Sequence, residues 1–551
     1  MKEIVIEYKE LKNRKYLNAL FLLSAILSFG YGIIHPTIGM DDTGIETYFT
    51  QGLAPKVGRW TLFLLNKILH VSEFTPFFVD AIGLILLYFA VLAFIVYFKK
   101  ISNNSIHTIG YAAFGCLFLT SPFMGEVFIY YLHNGIGLSF LLVALSAICM
   151  LKVTKEGKMN NLLWASIMLS LAIGCYESFA LVYILTVCLT FFYEAMQQEG
   201  DKDKLGKRFK KFLLKCFYYV VPLVLSMVTR TIVSKLITKA LKIDLSARSI
   251  TQINGWKDSS FLETIKRLVT NFALRYVVNG VSLVAVRVFA LSMIAFFAVI
   301  ILLSIRQKKA WILVWGFAMM LSVWLLIPVE LTITPYRASQ AVVLLVAVSA
   351  MIISDSILSF AKESKNALKA AECCLIVLLF VVTFNQGFAL NRYFYFDDLK
   401  YKNDVFVARS IGENLMSRFD CDKPVAFVGE YVMPKYLRDY VYLSFDSPKY
   451  HFIADNLKYS LRDGFYEYVD NDYGYRLYEI GSQDPLAWMS WAKLDEKQLE
   501  IYKFMEMNGF SFVPASEEMI DSAKVLAQDM PSWPKDGYII ETDEMIIVKI
   551  Q

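Results

Sequence analysis

Charge is scarce in this chain. Asp, Glu, Lys and Arg make up 19% of its 551 residues, against about 25% in a soluble globular protein. Eight cysteines form no CxxC pair, which leaves zinc and dithiol frameworks without support. Seven of them fall in or beside apolar runs and read as buried free thiols; only Cys421 lies elsewhere. No P-loop, GxGxxG, HExxH or nucleophile elbow stands in a fitting context. Internal repeats and low-complexity tracts are missing too. These absences exclude a disordered chain, collagen and a disulfide-rich secreted scaffold. Nucleic acid is not an expected partner, because the basic charge forms no continuous stripe.

Apolar residues are what the chain has. They make up 56% of it, and mean hydropathy is +0.47. The charge is split. Residues 1–390 hold 37 Lys+Arg and 22 Asp+Glu, net +15; residues 391–551 hold 18 and 28, net −10. A basic membrane part of 1–390 followed by an acidic soluble domain of 391–551 is the organisation this predicts.

A membrane-crossing helix needs about 20 mostly apolar residues. Eleven such runs stand out: 17–35, 76–98, 106–121, 130–151, 160–175, 177–196, 212–233, 283–305, 310–329, 338–358 and 368–388. The first has no small-residue cleavage site and is not read as a removed signal. With the N-terminus inside, alternate connections collect 22 Lys and Arg, from Lys2 to Lys369. The opposite short loops carry none near 122–129 and only Arg337 at 330–337. This positive-inside pattern puts the C-terminal region outside. The fold class predicted is an all-α polytopic membrane protein with a C-terminal extracytoplasmic α/β domain. Two outer loops are long, 36–75 and 234–282. Within them, 59–70 and 261–278 read as helices lying at the interface. In the tail, 398–418 and 495–508 read as helices. Residues 425–428, 510–513, 538–540 and 545–549 read as strands, the last two closing a hairpin.

The outer loops hold the residues that could do chemistry. Asp41-Asp42 follows the first span; an adjacent carboxylate pair suits a general base or a cation ligand. The bland alternative is a pair capping a helix at 43–50. Arg59 could bind a lipid phosphate through two parallel hydrogen bonds, while Trp60 could simply belong to an aromatic belt. Glu126, Tyr130, Tyr131 and His133 cluster around the start of the fourth span, and His133 alone reads as structural. Tyr176-Glu177 occupies a tight turn. Tyr336-Arg337 stands where positive charge is rare and an anion is wanted: Glu330, the carboxylate pair or a substrate phosphate. Arg230 and Arg287 are similar but less sharply placed.

Several short motifs carry a family resemblance: Gly39-Met40-Asp41-Asp42, Gly58-Arg59-Trp60, Glu126 with Tyr130-Tyr131, Tyr176-Glu177-Ser178, Tyr336-Arg337, and Met530-Pro531-Ser532-Trp533-Pro534 with the apolar run at 545–548. Together they resemble the GtrII-like glucosyltransferases, polytopic bacterial enzymes of the GT-C class. The resemblance implies transfer of a hexose, glucose by the family's label, from a polyprenyl-phosphate donor. The acceptor would be a cell-surface or lipid-linked glycan, such as O-antigen or teichoic acid, at the outer face of the bacterial cytoplasmic membrane. It places an essential Asp in the first outer loop, here Asp41 or Asp42, with Glu126 as a further carboxylate. Arg59 and Arg337 would meet the donor phosphate. Mg²⁺ or Mn²⁺ on the aspartates and a metal-independent reaction both stay open. The competing readings are a lipid-linked glycan flippase or transporter, and a non-catalytic membrane scaffold.

Overall fold

The computed structural model describes residues 15–39, 42, 53–71, 75–129, 135–197, 205–242, 262, 283–325, 338–419, 422–429, 431 and 499–550. The chain is mostly helix: α1 Lys15–Ile34, α2 Trp60–Ile68, α3 Pro76–Ser102, α4 Thr108–Leu119, α5 Gly135–Glu156, α6 Asn160–Cys175 and α7 Phe179–Gln197. There follow α8 Leu205–Ala240, α9 Leu283–Gln307, α10 Ala310–Ser322, α11 Gln340–Ala361 and α12 Lys365–Arg418.

Every one of the eleven apolar runs coincides with a helix. Among the described residues eight helices are long and apolar enough to cross a membrane. The run at 106–121 is different. Pro122 stops α4, and the chain turns by 44° into a 3-10 segment, Pro122–Phe128. Helices α6 and α10 are short, at 16 and 13 residues. The expected helix at 261–278, apart from Leu262, and the capped helix at 43–50 lie outside the described residues.

Most of these helices are apolar on all sides, so burial is decided by position in the bundle rather than by a polar face. The apolar stretches of α7 and α11 are 78% buried and form the centre, whereas that of α12 is 6% buried and lies at the rim. Aromatic side chains hold the centre. Phe98 meets Phe114 edge-on at 4.7 Å, Phe118 meets Phe140 at 4.9 Å and Phe140 meets Phe179 at 4.9 Å, joining α3, α4, α5 and α7. Such pairs prefer this T-shaped geometry. Small residues bring the helices close: Gly137 of α5 lies directly on the backbone of α3 at Gly83 and Leu87. All seven described cysteines are free. Cys116, Cys175 and Cys188 are buried as expected, but Cys373 and Cys374 face outward on α12.

The two ends of the bundle differ. At one end lysines close the connections: Lys309 Nζ donates to the Met196 carbonyl at 2.6 Å, Lys155 Nζ to that of Lys100 at 3.1 Å, and Lys215 pairs with Glu194 at 2.9 Å. The end of α1, the 3-10 segment, the α6–α7 turn and the start of α11 gather at the other.

Helix α12 runs 54 residues without a break, through the composition shift near 391. The separate helix expected at 398–418 is its last third. Beyond it lies a four-stranded sheet, β1 Pro424–Val428, β2 Val513–Pro514, β3 Ile539–Glu541 and β4 Ile546–Lys549, in the order β2-β1-β4-β3. Strand β1 is parallel to β2 and β4; β3 and β4 form the expected antiparallel hairpin. Alternate side chains point to opposite faces. Val425, Phe427, Ile546 and Val548 pack with the end of α12 and with α13, Leu499–Met507. Ala426 and Ile547 pack with α14, Glu517–Leu526, on the other face. Helix α14 is absent from the sequence reading; Ser516 caps it by accepting from the Met519 N–H.

Candidate functional site

The first long loop is fastened where it leaves α1. The Tyr31 hydroxyl donates to Asp398 at 2.9 Å, Lys402 donates to the same carboxylate oxygen at 2.8 Å, and His35 stacks on Tyr31. The Thr37 hydroxyl donates to Asp397. Both aspartates are buried and come from α12. The next residue, Ile38, packs into an apolar cluster with Ala54, Leu62, Phe63 and Cys175. Asp42 follows, fully buried. Its Oδ2 accepts from the Gly39 N–H at 3.1 Å, while its own N–H donates to the Gly39 carbonyl at 3.0 Å. The carboxylate therefore sits over a turn that it closes itself. Asp41 lies outside the described residues.

Glu126 is buried on the 3-10 segment. That segment rests on α12 and α1: Gly125 abuts Tyr393 and Leu390, and Phe128 packs against Phe29 with ring centres 4.4 Å apart and the planes tilted by 34°. The segment of Glu126 thus lies against α1 and α12, while Asp42 sits on loop one five residues past Thr37, which α12 holds through Asp397. Tyr130, Tyr131 and His133 lie outside the described residues.

A second group forms where α2 meets the α6–α7 turn. Arg59 reaches Glu177 with Nη2 at 3.2 Å and Nε at 3.4 Å, and lies over the Tyr176 ring at 4.1 Å. Arg230 of α8 approaches the same carboxylate at 3.8 Å and donates to the Val57 carbonyl at 2.7 Å. Ser178 donates to Gln340 at the start of α11 at 2.6 Å. Arg337 and Tyr336, just upstream of Gln340, lie outside the described residues. Trp60 is buried, packed with Thr61 against Gly174, instead of standing in an exposed belt. Helix α2 buries Leu62, Phe63 and Asn66 against the bundle, so this half of loop one is a packed element.

Gly58 permits this group. Its φ is +91°, and a Cβ there would stand 2.5 Å from the Arg230 guanidinium carbon. Gly58→Ala is expected to push Arg230 from its place and to lower the melting temperature of the purified protein. A scan of the variant against wild type checks it.

Burial works to raise the Glu177 carboxyl. The charge and hydrogen bond of Arg59, then the charge of Arg230, outweigh it and hold the group below its ordinary 4.5. A depressed carboxyl stabilises the fold above its unfolded value and loses that contribution as pH falls through the folded one. The melting-temperature difference between wild type and Glu177→Gln should therefore be full above pH 4.5 and should vanish on acidification below it.

Sequence reasoning missed several of these residues. Asp397 and Asp398 were assigned to the tail, although a carboxylate pair just past an apolar run repeats the signal of Asp41-Asp42. Asp80 sits five residues into α3, buried, with no hydrogen bond or ion pair among the described residues; a lone carboxylate in an apolar span was the clue. Asn66 is buried with neither end of its amide partnered among the described residues. Arg59 and Glu177 were both singled out, but not as a pair. Among the described residues no three His, Cys, Asp or Glu side chains gather as a metal site. A divalent cation on Asp42 would need oxygen ligands from outside that set.

A helical, multi-pass membrane protein with its buried carboxylates and arginines collected at one end of the bundle is the class these features define. The chain belongs to the Glucosyl transferase GtrII family, which matches residues 30–360. It is a membrane glycosyltransferase. Asp42, Arg59, Glu126, Glu177, Arg230 and Arg337 all fall inside the matched stretch; α12 and the tail, with residues 530–548, fall beyond it. No curated protein and no solved structure gives a significant match.

Proposed function

We propose that the protein moves a glucosyl group from a polyprenyl-phosphate donor to a hydroxyl of a cell-surface or lipid-linked glycan, at the outer face of the bacterial cytoplasmic membrane. The observation that carries this reading is the meeting of Arg59 and Glu177, 118 residues apart, beside the loop that bears Asp42. The acceptor oxygen attacks the anomeric carbon. The bond from that carbon to the phosphate oxygen breaks, and the phosphate leaves with the electron pair. Asp41 or Asp42 takes the acceptor's proton, and the buried Glu126 is the further carboxylate at that end. Arg59 and Arg337 offset the charge that grows on the leaving phosphate.

In this reading all eleven apolar helices cross the membrane. The lysine-closed end faces the cytoplasm with the N-terminus. The acidic tail, 391–551, is an outer α/β domain beside the acceptor. The test is comparison of envelope glycans from cells with and without the gene, paired with transfer from synthetic polyprenyl-phosphate glucose in membranes. Loss of one glucosyl substituent in both is the expected result; unchanged glycans, or transfer only from a nucleotide sugar, overturns it. Arg337→Lys should weaken turnover and Arg337→Ala weaken it more, with the loss in donor use rather than in acceptor affinity.

A further inference from the structure

Arg59 and Arg230 converge on one anion, and the protein supplies it. Two guanidiniums around a single negative centre suit a phosphate, whose oxygens can accept from both forks. The Glu177 carboxylate does this incompletely. It takes two hydrogen bonds from Arg59, but Arg230 stays 3.8 Å away. Arg230 spends one donor on the Val57 carbonyl, and its buried Nε has no acceptor among the described residues. An anion with more oxygens than a carboxylate would engage both side chains. All three groups are partly exposed, so a ligand can reach them: 17% for Arg59, 27% for Arg230 and 31% for Glu177.

We infer that Arg230 and Arg59 together form a receptor for a lipid-borne phosphate, and that Glu177 is a built-in stand-in which the phosphate displaces. The inference rests on the proposed lipid-phosphate donor. Glu177 can yield without unfolding the turn. Its backbone is held by the Ala180 N–H at 3.1 Å, and its neighbour Ser178 is fastened to Gln340, so only the side chain has to rotate. Gly58 lets the chain pass directly beside the Arg230 guanidinium, which a side chain there would displace. With its carboxylate gone from between them, the two arginines lose the negative centre they share. Removing the stand-in therefore destabilises the empty protein and tightens phosphate binding at once, which no simple strut does.

The experiment titrates the full-length protein in nanodiscs with farnesyl monophosphate, and separately with phosphatidylglycerol, by calorimetry. Glu177→Gln should bind farnesyl phosphate about tenfold tighter and Arg230→Lys about tenfold weaker, each a single step on the affinity scale. In the double variant the gain from Glu177→Gln should shrink, because the two sites are coupled. Glu177→Gln that weakens binding or leaves it unchanged makes Glu177 a strut and overturns the inference. Arg230→Lys without effect removes Arg230 from the site. If phosphatidylglycerol competes on equal terms, the two-arginine receptor stands as a bilayer headgroup site and the donor assignment fails. If transfer from polyprenyl-phosphate glucose proceeds while neither variant alters binding, the inference fails and the proposed function stands.

Discussion

Asp42→Asn should leave the protein inserted and folded while reducing glucosyl transfer by roughly 10²–10⁴-fold, the range expected for loss of a general base. The substitution is nearly isosteric. The buried Asp42 accepts from the Gly39 N–H through one carboxylate oxygen, and the amide oxygen of Asn can accept the same bond. What disappears is the charge and the basicity. Asp41→Asn belongs beside it, because loop one offers two adjacent carboxylates. The readout is transfer from polyprenyl-phosphate glucose in membranes, normalised to protein level. Activity that survives Asp42→Asn but not Asp41→Asn places the base at 41. Activity that survives both removes the base from loop one.

Gly137→Val should cause the largest loss of stability. A Cβ at Gly137 would stand 2.5 Å from the Gly83 carbonyl oxygen and 3.0 Å from the Leu87 nitrogen, both backbone atoms of α3. A side chain can turn aside, but a helix backbone must move as a body. Overpacking of a close core contact costs about 1–3 kcal/mol, and Val is wider than the Ala that already collides. The expected outcome is a melting temperature and membrane yield well below wild type. Gly30→Ala is the control, because its Cβ would meet only Ile26 at 3.6 Å, an ordinary contact. Equal losses in both would show that the α3–α5 contact does not set the outcome.

Hydrophobicity along the chain foretold much of this arrangement. Each apolar run became a helix because a long run with no polar face has no other way to satisfy its backbone in an apolar setting. Strands β1, β3 and β4 were legible as short β-branched runs bounded by turn residues. The bend at Pro122 was visible as Ser121-Pro122, yet was read as a span end. The continuity of α12 is hidden in the composition, because polarity shifts near 391 while nothing there ends a helix. Helices are ended by proline, glycine and caps rather than by polarity, and residues 365–418 contain no proline. The long-range pairs were beyond reach. Tyr31 and Asp398 are 367 residues apart and Arg59 and Glu177 118, so no local pattern pairs them. Local pattern locates a charged side chain on a loop, but only packing chooses its partner.

The unbroken length of α12 decides how the tail can be studied. Its 54 residues make a rod of roughly 80 Å, and the moorings of loop one are bolted to its middle. Cutting the chain at 391, where composition suggests a seam, discards Asp397 and Asp398 along with the tail. Thr37 and Tyr31 lose their anchorage, and an inactive product then says nothing about the sheet. A cut at 400 spares the two aspartates but strips Asp398 of Lys402. Only a truncation placed after Arg418 separates what the tail contributes from what the rod holds in place.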